Sequence, residues 1–351
     1  MSRPEMRYTT LGKSKTEVSS LCFGMYTILQ KTGPLEAFKL VGKAWDYGVN
    51  FFDTSDNYKT EIIVGRSLRE NKIPREKAVI ATKTGLPMNE YHGRFLGEVL
   101  RTDRDTSAAR IKMQAENSIK IMETGYIDLY QTHVHDEHAP ASEVVLAMNE
   151  LVEEGKIRHY GFSNYSRENV AEALQACKEQ KLKHHPVSLQ PYYNIAATGE
   201  DALVDYAKGE GLTVMAHRPL ASGYLVDSTF TKVTGLRALD DNIRNALRKN
   251  PGADNPESMK EVNEMRRQEA AKEEIKMLQI AATGYGRNIQ QLSTAWLLHR
   301  GVVPIMGANT EKHLDEYVSA LGWQLDERIL GEVDAVRKNL AKIKDMPDFS
   351  A

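Results

Sequence analysis

Cysteine is scarce in this chain: Cys22 and Cys177 are the only two in 351 residues. Two thiols build neither a disulfide framework nor a cysteine metal cluster, and they fit a reducing compartment or an indifferent one. An excess of one charge is also missing, with 46 basic residues against 48 acidic and a formal net charge of -2. No global field is available to hold nucleic acid, and no basic patch is interleaved with aromatics. Long hydrophobic runs are absent too. No apolar stretch follows the opening Met-Ser-Arg-Pro-Glu-Met-Arg, which argues against a signal peptide, and none approaches the ~20 residues of a membrane-spanning helix. These absences lead to the expectation of a soluble cytoplasmic protein without nucleic-acid or membrane partners. Nor is there a Gly-x-Gly-x-x-Gly after the first apolar segment, which argues against the usual dinucleotide-binding fold. Internal repeats and low-complexity tracts are likewise lacking.

What is present is an ordinary globular balance, 41% hydrophobic and 27% charged, enough for a full core without disulfides or metals. Met6 to Glu17 reads as a polar hairpin turning at Gly12. Short apolar strands are then predicted at Ser20–Phe23, Val49–Phe52, Ala78–Thr82, Ile127–Thr132, Ile157–Phe162, Pro186–Leu189, Leu212–Ala216 and Val302–Ile305. Amphipathic helices separate them, among them Pro34–Trp45, Glu61–Leu68, Ser107–Met122 and Glu168–Gln180, the last capped by Ser166. Strand followed by helix, about eight times, implies a parallel sheet covered by helices. In this length it favours a closed (β/α)8 TIM barrel over its nearest rival, an open α/β sheet. The whole chain, 1–351, is read as a single barrel domain with an N-terminal hairpin cap and a C-terminal helix at Asp326–Leu340. Two long segments, Gly85–Thr106 and 226–282, are expected as loops at the catalytic face. The second reads as a loop and helical insertion, with Met259–Leu278 helical.

Four polar residues follow successive predicted strands: Asp53 and Tyr58 after the second, Lys83 after the third, His133 after the fourth. Each has an everyday alternative. Asp53 caps the next helix, Lys83 is a surface lysine, Tyr58 is a half-buried aromatic, and His133 is a satisfied polar cap. Taken together, they converge on one face of a barrel, where such enzymes hold their chemistry. Lys83 beside Asp53 has its charge balanced, and it is expected to lower the Tyr58 pKa. Tyr58 is then a proton donor to a carbonyl oxygen, and His133 orients that carbonyl.

Five stretches carry a resemblance to a known family: Phe52-Asp-Thr-Ser-Asp-Asn-Tyr58, Ala81-Thr-Lys83, Tyr126-Ile-Asp-Leu-Tyr-Gln-Thr-His133, Glu153-Glu-Gly-Lys-Ile-Arg-His-Tyr-Gly-Phe-Ser-Asn164 and Gln190-Pro-Tyr-Tyr-Asn194. In this order, the chain resembles the aldo-keto reductases from about Tyr8 to Leu340. The resemblance implies reversible reduction of an aldehyde or ketone by a nicotinamide cofactor, with Asp53, Tyr58, Lys83 and His133 as catalytic tetrad. It implies that Ser163, Asn164 and Gln190 bond the nicotinamide carboxamide. Leu220, Ser222 and Gly223 match the loop around the pyrophosphate, and Gly307 to Glu316, with Asn309, Thr310 and His313, the adenosine end. Two departures stand out. His217 takes the place of the aromatic that stacks on the nicotinamide, and Arg218 follows where serine is frequent. Arg218 either reaches the phosphates or meets an acidic partner. At the 2′-phosphate, Gly307 and His313 stand where lysine and arginine are common; Glu316 matches an adenine contact, and beside it Tyr317 stands where asparagine often does. A neutral histidine lacks the bidentate fork of arginine. NADP(H) is the preferred cofactor from the family, with NAD(H) open. Met25, Tyr26, Tyr91 and His135 are candidates for the substrate pocket or for ordinary loop packing.

Two other functions compete. A metal-dependent hydrolase would draw on His133, His135, Asp53 and His138, although Lys83 is a poor neighbour for a divalent cation. A nicotinamide-binding regulatory subunit is the second; weak turnover with slow cofactor release would support it.

Overall fold

The computed structural model describes residues 4–86, 104–223, 225–226 and 256–343. It opens with an antiparallel hairpin, β1 (Tyr8–Thr10) and β2 (Glu17–Ser19). Eight parallel strands follow: β3 (Cys22–Gly24), β4 (Phe51–Asp53), β5 (Val79–Thr84), β6 (Ile127–Thr132), β7 (Ile157–Ser163), β8 (Ser188–Gln190), β9 (Thr213–Ala216) and β10 (Val303–Met306). They pair in sequence order, and β10 closes on β3 to complete the barrel. Among the described residues, the helices are α1 (Ile28–Lys31), α2 (Pro34–Asp46), α3 (Glu61–Glu70), α4 (Ala108–Met122), α5 (Ala141–Glu153), α6 (Arg167–Glu179), α7 (Asp201–Gly209), α8 (Pro256–Gly284), α9 (Ile289–His299), α10 (Glu311–Ser319) and α11 (Glu327–Leu340). The (β/α)8 barrel with its N-terminal hairpin is thus the observed architecture.

Local sequence explains where helices begin. Pro34 occupies the first turn of α2, where its missing N–H costs nothing. Ser166 accepts from Asn169 N at 3.2 Å in a reciprocal capping box on α6, as expected of it. Asn288 builds the same device on α9, and Asp326 caps α11. The C-terminal α11 is tied back by Arg337, which donates to Asp201 Oδ2 at 2.6 Å and to Ile195 O at 2.7 Å.

The period of two along each strand divides the core. Cys22, Phe51, Val79, Ala81, Leu129, Met215 and Val303 fill the barrel interior, together with Leu11 and Val18 from the hairpin. Their neighbours Phe23, Phe52, Ile80, Tyr130 and Val214 point outward to the helices. The hairpin seals the N-terminal end of the barrel: Gly12 N donates to Thr213 Oγ1 at 2.7 Å. Gly12 has φ +58, and a Cβ there would lie 2.6 Å from Val187 O, so both conformation and space call for glycine.

The strands run slightly later than the sequence suggests. Asp53 and Lys83 lie within β4 and β5, not beyond them. The helical stretch expected at Met259–Leu278 is part of the longer α8; residues 227–255 of the expected 226–282 insertion lie outside those described. So does Tyr91 in the other long segment. Among the described residues, no helix is long and apolar enough to cross a membrane.

Candidate active site

The C-terminal end of the barrel is built from positions two residues beyond interior apolar ones: Asp53 after Phe51, Lys83 after Ala81, His217 after Met215. The alternation that buries the apolar residue therefore aims the next inward side chain at the rim.

Lys83 is fully buried and donates to Asp53 Oδ1 at 2.6 Å and to Thr54 O at 2.8 Å. Gln190 Nε2 donates to the second oxygen, Asp53 Oδ2, at 2.9 Å. This overturns the reading of Asp53 as a helix cap, since the N-cap of α3 is Thr60 and the carboxylate is engaged inside the barrel. It overturns the surface-lysine reading as well. The Lys83 ammonium lies 5.0 Å from the centre of the Tyr58 ring. Tyr58 closes a short 3-10 turn, Asp56–Tyr58, and its hydroxyl is 3.2 Å from His133 Nε2. The four predicted residues do converge.

Their electrostatics are consistent with one another. Burial pushes the Lys83 pKa down, but the charge of Asp53, and that of Tyr58 once it ionises, outweigh it and hold the group above its usual range, as an ammonium. Burial raises the Tyr58 pKa, and Lys83 only partly offsets this. The expected lowering by Lys83 is thus present as a contribution but loses to desolvation, and Tyr58 keeps its proton at neutral pH. Burial, then Lys83 and His217, press the His133 pKa well below the imidazole range, so the ring is neutral. Both its nitrogens are engaged, Nδ1 at 3.1 Å from Ser55 Oγ and Nε2 at Tyr58. The His135 ring packs edge-on against Tyr165, with centres 5.2 Å apart. This geometry gives the metal-hydrolase reading no support.

The residues expected around the carboxamide are bonded directly to this cluster. Ser163 Oγ donates to Gln190 O at 3.0 Å. Asn164 Nδ2 donates to His133 O at 2.9 Å, while its Oδ1 is 2.8 Å from His217 Nε2. The half-buried His217 has its pKa pushed down to about 3 by burial, by Arg218 and by Lys83. It is neutral, so it places no positive charge against a cationic ring. The backbone is left-handed at Asn164, Arg218, Ala221 and Ser222, with φ between 50 and 57, and at Gly223 with φ 93. Non-glycine residues in this region cost on the order of 1 kcal/mol each and concentrate where a chain shapes a ligand site. The turn from Arg218 to Gly223 is pinned from below, where Ser293 Oγ donates to Pro219 O at 2.7 Å. Leu220 is half-buried against the core at its centre.

Gly307 to Glu316 leaves β10 beside β3. Thr310 caps α10 by accepting from His313 N at 3.2 Å. The His313 and Glu316 side chains are half-buried, while Gly307 is exposed. Asn309 Oδ1 is buried without a hydrogen-bond partner among the described residues. Such an acceptor suits a ribose hydroxyl or an amine better than a phosphate oxygen. Tyr317 is buried and its hydroxyl bonds the Gly307 backbone, so it props this segment from beneath. No hydrogen bond among the described residues joins this segment to the four central side chains.

The pocket candidates separate. Tyr26 is 39% exposed and stands edge-on to Tyr58 with ring centres 4.8 Å apart, so it presents a surface. Met25 is wholly buried. Sequence reading passed over Ser55 and Asp56, both buried beside His133; two polar residues inside so short a span were the available signal.

The aldo/keto reductase family model matches residues 20–338. The chain belongs to the aldo/keto reductase family. Among its relatives, the aldo-keto reductase YhdN of Bacillus subtilis (strain 168) is 26% identical over 99% of this chain and 98% of its own length. The versiconal hemiacetal acetate reductase of Aspergillus parasiticus is 28% identical over 90% of this chain and 92% of its own. Aldo/keto reductase membership makes the chain an oxidoreductase of the class that uses nicotinamide cofactors.

Proposed function

We propose that this aldo/keto reductase reduces an aldehyde or ketone to an alcohol, with Tyr58 as the general acid. The observation that carries the reading is the Tyr58 hydroxyl 3.2 Å from a neutral His133, above the buried Lys83–Asp53 pair. Tyr58 gives its proton to the carbonyl oxygen as that oxygen gains charge. His133 hydrogen-bonds the same oxygen and fixes its direction. The Lys83 ammonium, held in place by Asp53 and Thr54 O, stabilises the phenolate left on Tyr58. Tyr26 offers an aromatic edge to the substrate.

When bound, the reduced nicotinamide supplies the hydride. Ser163, Asn164 and Gln190 would hold its carboxamide, since they offer donors and acceptors beside the tetrad. His217 would stack on the ring, and Arg218, Leu220, Ser222 and Gly223 would border the pyrophosphate. Asn309, Thr310, His313 and Glu316, with the turn at Gly307, would meet the adenosine. NADP(H) is the preferred cofactor in this reading and NAD(H) the alternative, because His313 and Lys312 stand in for a bidentate arginine. The site of action is the cytoplasm, and the partner is a small carbonyl compound.

The test is a fluorescence titration of the purified protein with NADPH and NADH, followed by turnover on small aldehydes. Tight NADPH binding with turnover supports the reading as stated. Tighter NADH binding keeps the chemistry and reassigns the cofactor. Failure of both to bind defeats it.

A further inference from the structure

Carbonyl reduction by the tetrad leaves two buried residues between Asp53 and Tyr58 without a task, Ser55 and Asp56. Ser55 Oγ lies 3.1 Å from Asp56 Oδ1 and 3.1 Å from His133 Nδ1. The other ring nitrogen, Nε2, lies 3.2 Å from the Tyr58 hydroxyl. An unbroken hydrogen-bonded path therefore joins the Asp56 carboxyl to the Tyr58 oxygen. Each group along it, a hydroxyl and an imidazole, can accept a proton on one side while giving one up on the other.

We propose that Asp56 and Ser55 form a proton relay that returns a proton to the Tyr58 oxygen through His133. The proposal rests on Tyr58 acting as the acid in carbonyl reduction. Before turnover Asp56 carries its proton on Oδ1 and donates to Ser55, Ser55 donates to Nδ1, and the ring proton sits on Nε2. Tyr58 gives its own proton to the substrate oxygen and becomes a phenolate. Nε2 then gives its proton to the phenolate, Nδ1 takes the proton of Ser55, and Ser55 takes that of Asp56. The outcome is neutral Tyr58, neutral His133 with its proton on Nδ1, and ionised Asp56. A solvent proton then enters at Nε2, Nδ1 returns its proton to Ser55, and Ser55 returns its own to Asp56, which restores both the carboxyl and the starting tautomer.

The surroundings fit this direction. Arg110 Nη2 lies 3.6 Å from Asp56 Oδ2, so its charge disfavours a proton on that oxygen. In ionised Asp56, Oδ1 accepts from Ser55 Oγ at 3.1 Å and from Asn57 N at 2.7 Å; protonation of Oδ1 reverses the Ser55 bond. Burial, and then the charge of Glu61, push the Asp56 pKa up to about 7, against the opposing pull of Ser55, Arg110 and Asn57 N. The other ionisable groups facing the path are Tyr130 on β6, kept neutral by burial, Lys83 on β5, whose charge bears on Glu61, His133 and Tyr58, His217 after β9, which bears on His133, and Asp53 and Tyr26, which bear on Tyr58. Asn57 Oδ1, 2.9 Å from Ser55 Oγ, competes for the Ser55 proton. An imidazole nitrogen is the stronger base, so it prevails when Asp56 is protonated.

Two variants test the relay. Asp56→Asn keeps an acceptor for Ser55 but has no proton to give; Ser55→Ala cuts the path, and Ser55→Thr preserves its hydroxyl. In the cofactor-free native protein, ¹⁵N NMR should find the His133 ring proton on Nε2 below about pH 7 and on Nδ1 above it. In Asp56→Asn it should stay on Nδ1 throughout. Steady-state reduction by the native enzyme should fall as pH rises through about 7. Asp56→Asn and Ser55→Ala should lose that step and about 100-fold of the turnover number, the lower end of general acid catalysis. The first turnover should be affected less than later ones, and Ser55→Thr should recover activity. An unchanged ring tautomer together with an unchanged pH profile in both variants overturns the relay. Absence of turnover in the native protein instead defeats the assignment of Tyr58, while the NMR result still decides the Asp56–Ser55–His133 coupling.

Discussion

The two ends of this barrel are closed by the same strands in opposite ways. At the N-terminal end, Leu11 and Val18 from the hairpin join Cys22, Phe51 and Val79 in a dry apolar plug. At the C-terminal end, one residue pair along the same strands, the interior holds a lysine, an aspartate, a glutamine and a neutral histidine, each tied to others by hydrogen bonds. The plug makes no demand on direction, because dispersion and hydrophobic burial are nearly isotropic. The polar end depends on it: an unpaired buried charge costs several kcal/mol, so each ion must meet its partner in one geometry. Stability and chemistry are thereby assigned to different layers of one core.

Substitutions can break that division of labour. The largest effect should come from Tyr58→Phe, which removes the proposed general acid. Steady-state assays should record a loss of about 100- to 10,000-fold in the turnover number, with cofactor affinity retained; undiminished turnover would remove Tyr58 from its role. Next is Lys83→Met, which strands the buried Asp53 carboxylate. Denaturant unfolding should show a loss of about 3–5 kcal/mol, along with lost turnover. If it proved neutral to stability, the charged end would not be the tightly specified one. Leu11→Ala at the opposite end should cost about 2–5 kcal/mol by the same unfolding measurement and leave the turnover number of the folded fraction unchanged. A change in turnover there would show that the two layers are coupled.

The smallest effect concerns pH. His217 has an ordinary pKa of 6.5 when unfolded and about 3 when folded, so the unfolded chain binds a proton that the native one refuses. Its contribution to stability is complete above pH 6.5 and is lost as pH falls from there toward about 3. His133, shifted in the same direction, acts likewise. His217→Phe should therefore move the acid-unfolding midpoint to lower pH, followed by circular dichroism. An unmoved midpoint would mean that the half-buried ring is solvated well enough to titrate normally.

Legibility followed the kind of signal. The eight strands, the Ser166 cap and the order of the barrel were readable because they depend on local pattern: period two, period 3.6 and a capping hydroxyl. Asp53, Tyr58, Lys83 and His133 were readable because a parallel barrel brings successive strand ends together. The sign of the Tyr58 shift was not. It is set by how much water the surrounding chain excludes, and burial outweighs the one charge that the order of residues made visible. Gln190 as a second anchor for Asp53, 137 positions away, was equally hidden. So was the task of Tyr317, read as a substitute at a ligand contact and found as a buried prop under Gly307.

The sequence by itself determined the alternation of strand and helix, and hence a barrel with its polar residues gathered at one rim. Only the tertiary structure decided which proton sits where. Protonation depends on desolvation and on distances between groups far apart in the chain, from Ser55 to His133 and from Asp56 to Arg110, and those distances exist only once the barrel has closed.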